Sequence, residues 1–297
     1  MPTYLIDSSI YIFRAWFTIP DDMVDPDNNP VNAVYGFTRF LGDFLERENP
    51  RHVAAAFDVS LTSSFRNDLY PDYKANREPA PPELKRQFQL CRDITAALGV
   101  RSCSDSRYEA DDLIGTLAAG SRRAGQNVTI VSRDKDLLQL LAAGDMCWDI
   151  AGGKRTRHAD VGDFLGVRAE QVVDFLGLAG DAVDNIPGVP GVGPKTASRL
   201  LAHFDSIDHL YGDLERVAEL PLRGASKLGA KLAAHREQAE MSRKLATICC
   251  EVPMDDHIGS MQRAAPALDE LNSLYDAAGF GPGIRKQAER VAAQFTG

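Results

Sequence analysis

The chain predicts an α/β fold, a mainly parallel sheet with helices on both faces, followed by an all-helical module. Three observations carry this. Short apolar runs alternate with helical stretches as far as about residue 166, the pattern of a parallel sheet whose two faces are both covered. Several of these runs close on an aspartate at the carboxyl end. Beyond residue 166 strand signals fade, and helical periodicity continues around a glycine-rich hairpin.

The elements follow in order. Tyr4-Leu5-Ile6 is a short apolar run ending in Asp7, and the spacing of Ile10, Phe13 and Phe17 predicts a helix after it. A second helix is expected over about 31–47. Val53-Ala54-Ala55-Ala56-Phe57, closing on Asp58, repeats the strand-then-Asp design. From 61 to 82 the pattern breaks into Phe65-Arg66, Tyr70-Pro71, Tyr73-Lys74 and Arg77, with four prolines that prevent one continuous helix. Helical periodicity returns over about 83–98. Glu109, Asp111 and Asp112 then open a further amphipathic helix, with Glu109 and Asp112 as i, i+3 neighbours. A helix N-terminus favours negative charge in any case, so this cluster alone requires no function. Val128-Thr129-Ile130-Val131-Ser132 is another strand, running into Asp134 and Asp136, and Leu137 to Leu141 begin a short helix. Cys147-Trp148-Asp149-Ile150 reads as a strand before a Gly152-Gly153 turn. Helices are expected over 169–178, 195–203, 206–211, 225–247, 267–278 and 284–295.

At 297 residues, with 44% hydrophobic and 25% charged residues, the chain suits a soluble globular protein of one large or two medium domains. No apolar run approaches the roughly 20 residues of a membrane span, and no basic region precedes a long apolar one, so neither membrane nor signal peptide is expected. The five cysteines lack CxxC or Cys/His spacing, which suggests neither a disulfide framework nor a zinc site. Together these point to the cytoplasm. The net charge of −9 argues against nucleic acid only if it is evenly spread, because cations bound at an acidic site offset it locally.

The acids carry the chemistry. Ligands of parallel α/β sheets gather outside the carboxyl ends of the strands, where Asp7, Asp58, Asp134 and Asp136 are expected. With Glu109, Asp111, Asp112, Asp181 and Asp184 they make nine carboxylates on five chain segments. Like charges brought together raise one another's pKa, and hard cations such as Mg²⁺ or Mn²⁺ relieve that with oxygen ligands. Two such ions about 4 Å apart suit phosphodiester hydrolysis. A phosphate-binding GxxxxGK[ST] loop is absent, and no histidine is placed for a nucleophilic relay. Gly188, Gly191 and Gly193, followed by Lys195 and Thr196 at a helix start, form a hairpin in which the backbone can approach a phosphate. Arg66, Lys74 and Arg77 can meet phosphates, and Phe65, Tyr70 and Tyr73 can stack on bases, although single aromatics of this stretch also suit the core. Arg223, Lys227, Lys231 and Arg236 make a basic stripe or a solvated helix face.

Four motifs together resemble the 5′-nuclease (flap endonuclease) family, in particular the N-terminal 5′-nuclease domain of bacterial DNA polymerase I and its stand-alone and phage relatives. They are Phe65-Arg66 through Tyr73-Lys74-Ala75-Asn76-Arg77; Glu109-Ala110-Asp111-Asp112-Leu113-Ile114-Gly115-Thr116-Leu117; Ser132-Arg133-Asp134-Lys135-Asp136; and Gly180-Asp181 through Lys195-Thr196-Ala197. The match covers roughly residues 3–260. The resemblance implies a PIN-like (resolvase-like) catalytic domain over 1–166 with a helical arch at about 61–82. It implies a helix-three-turn-helix DNA-binding domain of the helix-hairpin-helix type over 167–262, leaving a helical segment over 263–297. Asp7, Asp58, Glu109 and Asp111 would hold one Mg²⁺ ion, with Asp112 close by; Asp134, Asp136, Asp181 and Asp184 would hold the second. Mn²⁺ would substitute, and a K⁺ ion would sit at the hairpin. Arg66, Lys74 and Arg77 would position the scissile phosphate.

The function so implied is a monomeric, nucleoid-associated bacterial 5′-3′ exonuclease and 5′-flap endonuclease of DNA replication and repair. Its substrates would be DNA with a 5′ flap, nick, overhang or free 5′ end, with RNA-DNA hybrid as a further substrate. No polymerase motifs follow in this chain, which reads as a stand-alone nuclease. Two alternatives stay open: a catalytically weak junction-binding protein, and a PIN-type ribonuclease.

Overall fold

The chain opens with β1 (Thr3–Asp7), α1 (Ser8–Thr18), α2 (Asn32–Glu48), β2 (Val53–Asp58), α3 (Phe65–Leu69), α4 (Pro82–Ala97) and β3 (Arg101–Asp105). It continues through α5 (Ala110–Arg123), β4 (Val128–Val131), a 3-10 turn at Asp136–Leu140, β5 (Met146–Asp149), β6 (Lys154–Arg157) and α6 (Val161–Leu165). Then come α7 (Val172–Ala179), α8 (Pro194–His203), α9 (Ile207–Gly212), α10 (Ala225–Ala234), α11 (Arg236–Ala246), α12 (Leu268–Ala277) and α13 (Pro282–Ala293). The computed structural model describes residues 1–59, 63–222 and 224–295. Leu61, at the start of the expected arch, and Arg223, in the expected basic stripe, lie outside them.

The strands form one sheet in the order β3-β2-β1-β4-β5-β6, parallel throughout except for the antiparallel β5–β6 pair. The chain builds outward from β1 to β3 and then returns to β1's other side with β4. The strand order therefore reverses between β1 and β4, the switch point at which such sheets bind ligands.

Two cores flank the sheet, as strand alternation requires. Tyr4, Ile6, Val53, Ala55 and Phe57 face α1, α2, α4, α12 and α13. Leu5, Ala54, Ala56 and Ile130 face α5 and a core that runs on into the α7–α11 helices. The same parity carries Asp7 and Asp58 to the α5 side. The C-terminal helices complete the opposite core: Leu271, Tyr275 and Ile284 are buried there, and α13 approaches α2 so closely that a Cβ on Gly42 would meet Gln287 Oε1 at 2.4 Å.

Three expectations need correction. Residues 225–247 form two helices, α10 and α11, because the backbone breaks at His235 (φ −117°, ψ 22°). β3 and β6 are strands that the sequence pattern does not predict; Arg101-Ser-Cys-Ser-Asp and Lys154-Arg-Thr-Arg lie at the two sheet edges, where polar and basic side chains are tolerated.

Candidate active site and nucleic-acid interface

The site is built where β1, β2, β4 and the α5 N-terminus meet. Ser132, just past β4, bridges the switch point: its Oγ donates to Asp7 Oδ2 at 2.8 Å and accepts from Asp134 N at 3.0 Å. Asp134 Oδ1 accepts in turn from Asp136 N at 2.9 Å. Asp58 N donates to Ser9 Oγ (3.0 Å), and Asp58 Oδ1 accepts from Ala110 N (2.9 Å), which fixes the start of α5 against the end of β2. Asp111, in the first turn of α5, lies within charge–charge range of Asp134, Asp7 and Asp58.

Burial raises several of these acids, and their neighbours' charges add to it. Burial, then the Asp58 carboxylate, pushes Asp7 up from 3.8 to about 7. Burial, then Asp134 and Asp181, pushes Asp136 up to about 8. Asp111 and Asp134 are raised in the same sense, burial first and neighbouring carboxylates after. Asp136 Oδ1 is buried without a hydrogen-bond partner. An all-carboxylate donor set with an orphaned oxygen fits a hard, oxygen-seeking divalent cation. The carboxylates stand apart rather than closed into a ligand shell: among the described residues no three Asp, Glu, His or Cys side chains are close enough together to hold an ion.

Side-chain cations supply the opposing charge in this arrangement. Lys74 Nζ lies 2.8 Å from Glu109 Oε2 and 3.6 Å from Asp184 Oδ2. Arg77 Nη2 pairs with Asp184 Oδ1, and Lys135 Nζ with Asp181 Oδ2 at 2.8 Å. Burial works against the Lys74 ammonium, but Glu109 and its neighbours hold its pKa well above the ordinary value. Lys135, Ser132 and Ser9 join the site without having been expected there. Their signal in the sequence is only adjacency to the acids.

The structure uses three expected site residues differently. Arg66 is 2% exposed and makes a bidentate pair with Asp112, both contacts 2.8 Å, while its other N–H groups donate to the carbonyls of Leu245 and Thr247. Asp112 is fully buried and also accepts from Glu109 N and Cys249 N. With these contacts made, all four acceptor positions of Asp112 are taken and it has none to offer a metal, while Arg66 keeps a single N–H, on Nη1, buried 3.7 Å from Glu109 Oε2. Tyr73 is 3% exposed, and its one hydroxyl proton is shared between Glu109 (3.1 Å) and Asp184 (3.3 Å), so it offers no face to a base. Phe65 is half-buried against Tyr108, with ring centroids 5.6 Å apart.

The hairpin lies beside the second group of acids. Asp181 and Ile186 exchange backbone hydrogen bonds of 2.9 and 2.7 Å. Gly188 adopts φ +59°, and a Cβ there would stand 2.3 Å from Gly180 N, so only glycine fits. Ser242 and Gln238 of α11 bind the Gly188 N–H and carbonyl. Gly191, Gly193 and Lys195 are exposed at the α8 N-terminus, and Thr196 is half-buried. The Lys231 ammonium stands over the loop, 2.9 Å from where a Gly191 Cβ would be.

Comparison with known proteins agrees with this architecture. Residues 2–166 match the family model of the 5′-3′ exonuclease N-terminal resolvase-like domain, and residues 167–269 that of the 5′-3′ exonuclease C-terminal SAM fold. The chain belongs to the 5′-3′ exonuclease family. A relative from Buchnera aphidicola described as a 5′-3′ exonuclease is 32% identical over 86% of this chain and 88% of its own. DNA polymerase I of Bacillus caldotenax is 36% identical over 95% of this chain. The chain spans about a third (32%) of the length of that relative. Among solved structures, the bacteriophage T5 flap endonuclease in a pseudo-enzyme-product complex with DNA and metal ions shares the fold. Its TM-score is 0.65 with 18% identity, covering 98% of this chain and 99% of that one.

Proposed function

We propose that the chain is a structure-selective 5′ nuclease that hydrolyses DNA phosphodiesters with divalent metal ions, acting as a 5′-3′ exonuclease and a 5′-flap endonuclease in replication and repair. The observation that carries the reading is the packing of buried and half-buried carboxylates around the β1–β4 switch point, beneath cations held by the 70–77 segment. Residues 1–166 would cut, with 61–82 as the arch, and 167–262 would grip duplex DNA. The 263–297 segment would brace the catalytic domain.

Asp7, Asp58, Glu109 and Asp111 would hold one Mg²⁺ ion, and Asp134, Asp136, Asp181 and Asp184 the other. When bound, the ions supply Lewis acidity at the scissile phosphate and offset the acids' charge. Lys74 and Arg77 orient the phosphate through its non-bridging oxygens. Arg66 and Asp112 contribute by fixing α5, and with it Glu109 and Asp111. Gly191, Gly193, Lys195, Thr196 and Lys231 address the duplex backbone, a contact that positions without reading sequence; a K⁺ ion at the hairpin would strengthen it. The substrate ends are a flap, nick, overhang or free 5′ end, bound by a monomer. Among the described residues no helix is long and apolar enough to cross a membrane.

The test is cleavage of a 5′-labelled flap, a nicked duplex and a plain single strand, each with Mg²⁺ and with chelator. Metal-dependent cutting near the flap junction, with the single strand largely spared, is expected. Asp134→Asn with Asp136→Asn should abolish cutting and leave junction binding measurable. Junction binding with no products in Mg²⁺ or Mn²⁺ sinks the nuclease reading in favour of a binding protein, and selective cutting of RNA favours the ribonuclease.

A further inference from the structure

The 70–77 segment is fastened to the 181–186 loop at many points, and Asp184 is the centre of them. Lys74 N donates to Asp184 O at 3.0 Å. Asn76 Nδ2 donates to Ala182 O at 2.9 Å, Arg77 Nε to Val183 O at 3.4 Å, and Asn185 Nδ2 to Asp72 O at 2.6 Å. The Asp184 carboxylate takes Arg77 on Oδ1, and takes Lys74 (3.6 Å) and the Tyr73 hydroxyl (3.3 Å) on Oδ2. Lys74 and Asn185, on opposite sides of the contact, both adopt left-handed φ of +56°. Neither is a glycine, so both conformations are strained and need the surrounding contacts to hold them.

One anionic group thus receives Arg77 on one oxygen and Lys74 on the other. Those two cations would meet the two non-bridging oxygens of a phosphodiester in the same way. Asp181, three residues earlier in the same loop, is not so used: its carboxylate takes Lys135 and the Val183 N–H.

We infer that Asp184 is a positioning residue that stands in for the substrate phosphate, holding Lys74 and Arg77 over Glu109 until DNA displaces it. The inference rests on the nuclease reading, since it takes a phosphodiester as the competing group. Arrival of the substrate then does two things at once. It frees the Asp184 carboxylate for the second group of acids, and it opens the 70–77 segment from the 181–186 loop. Binding of the phosphate and completion of the acidic site become one event, coupled through a single side chain.

The experiment uses the full chain in chelator, without DNA. Lys74 is only 10% exposed in its side chain, so tryptic cleavage at Lys74–Ala75 reports release of the segment. Asp184→Asn should raise that cleavage rate about tenfold, the factor expected when charge-assisted contacts to two cations are lost from a locally opening segment. Asp181→Asn removes the same charge from the same loop and should leave the rate unchanged. Asp184→Asn should also bind 5′-flap DNA in chelator about fivefold more tightly than Asp181→Asn does, because the competing group is gone. Tyr73→Phe, which removes one donor to Asp184, should move both readouts in the same direction by less, and it serves if Asp184→Asn melts early. Equal rates in wild type, Asp184→Asn and Tyr73→Phe, or equal changes in Asp184→Asn and Asp181→Asn, overturn the inference. Cleavage of flap DNA by the wild type in Mg²⁺ tests the nuclease reading separately, so either can fail alone.

Discussion

Arg66 and Asp112 look alike in sequence to the acids and cations proposed for the site, and only burial separates them. Both lie in motifs dense with charge, 46 positions apart. Nothing in the sequence says that one guanidinium and one carboxylate would meet in the interior rather than face solvent. Their pairing is a structural bond of high consequence: a bidentate ion pair with further backbone donors satisfies both groups, but removing either strands the other. Arg66→Ala and Asp112→Ala should each destabilise the fold by ~3–5 kcal/mol. Replacing the two together with Met and Leu should lose much less, measured by urea unfolding in the same buffer. Additive losses in the double variant would show that the pair is not the unit proposed. Asp7 and Asp58 were legible for the opposite reason: strand parity and position at a carboxyl end fix where their side chains go, with no distant partner required.

At the level of elements, the helices and central strands were readable because their apolar periodicity reports burial directly. The edges were not. β3 and β6 carry polar and basic residues that an interior strand would exclude, and the break at His235 interrupts a periodicity that runs on through it. The last two helices show the same limit from another side. Their amphipathic pattern was plain, but not the surface they cover, since α12 and α13 return across the chain to close the core over α2 and α4. Tyr275, 1% exposed and 5.9 Å from the Phe280 ring centroid, sits in that core. Tyr275→Ala should cost ~3–5 kcal/mol, as large aromatic truncations do. The loss should appear in the unfolding of the sheet domain, followed through Trp16 and Trp148 fluorescence. An effect confined to the C-terminal helices would contradict the shared core.

Across the whole molecule, the buried acids tie stability to pH and to metal. Asp7 and Asp136 have folded pKa values of about 7 and about 8, raised from 3.8, each by burial first and by neighbouring carboxylates after. A carboxyl group raised in the folded state holds its proton there more tightly than in the unfolded chain. The stability this brings is fully present below the unfolded value near 4. It is lost as pH rises through the folded values, because ionisation then opposes the fold. His52, which burial lowers, works in the opposite sense below neutrality, but it lies away from the acids and is indifferent to metal. In chelator the melting temperature should therefore fall between pH 5 and 8. Divalent ions take the ionised carboxylates, so saturating Mg²⁺ should raise the melting temperature more at pH 8 than at pH 5 and flatten the decline. Melting curves at four pH values, with chelator and with Mg²⁺, decide it. A decline that Mg²⁺ leaves untouched would mean that the raised carboxyls are ordinary buried acids and that the ions, if they bind, bind elsewhere. A decline that Mg²⁺ abolishes would join the acid cluster, the global charge of −9 and the proposed metal binding in one equilibrium.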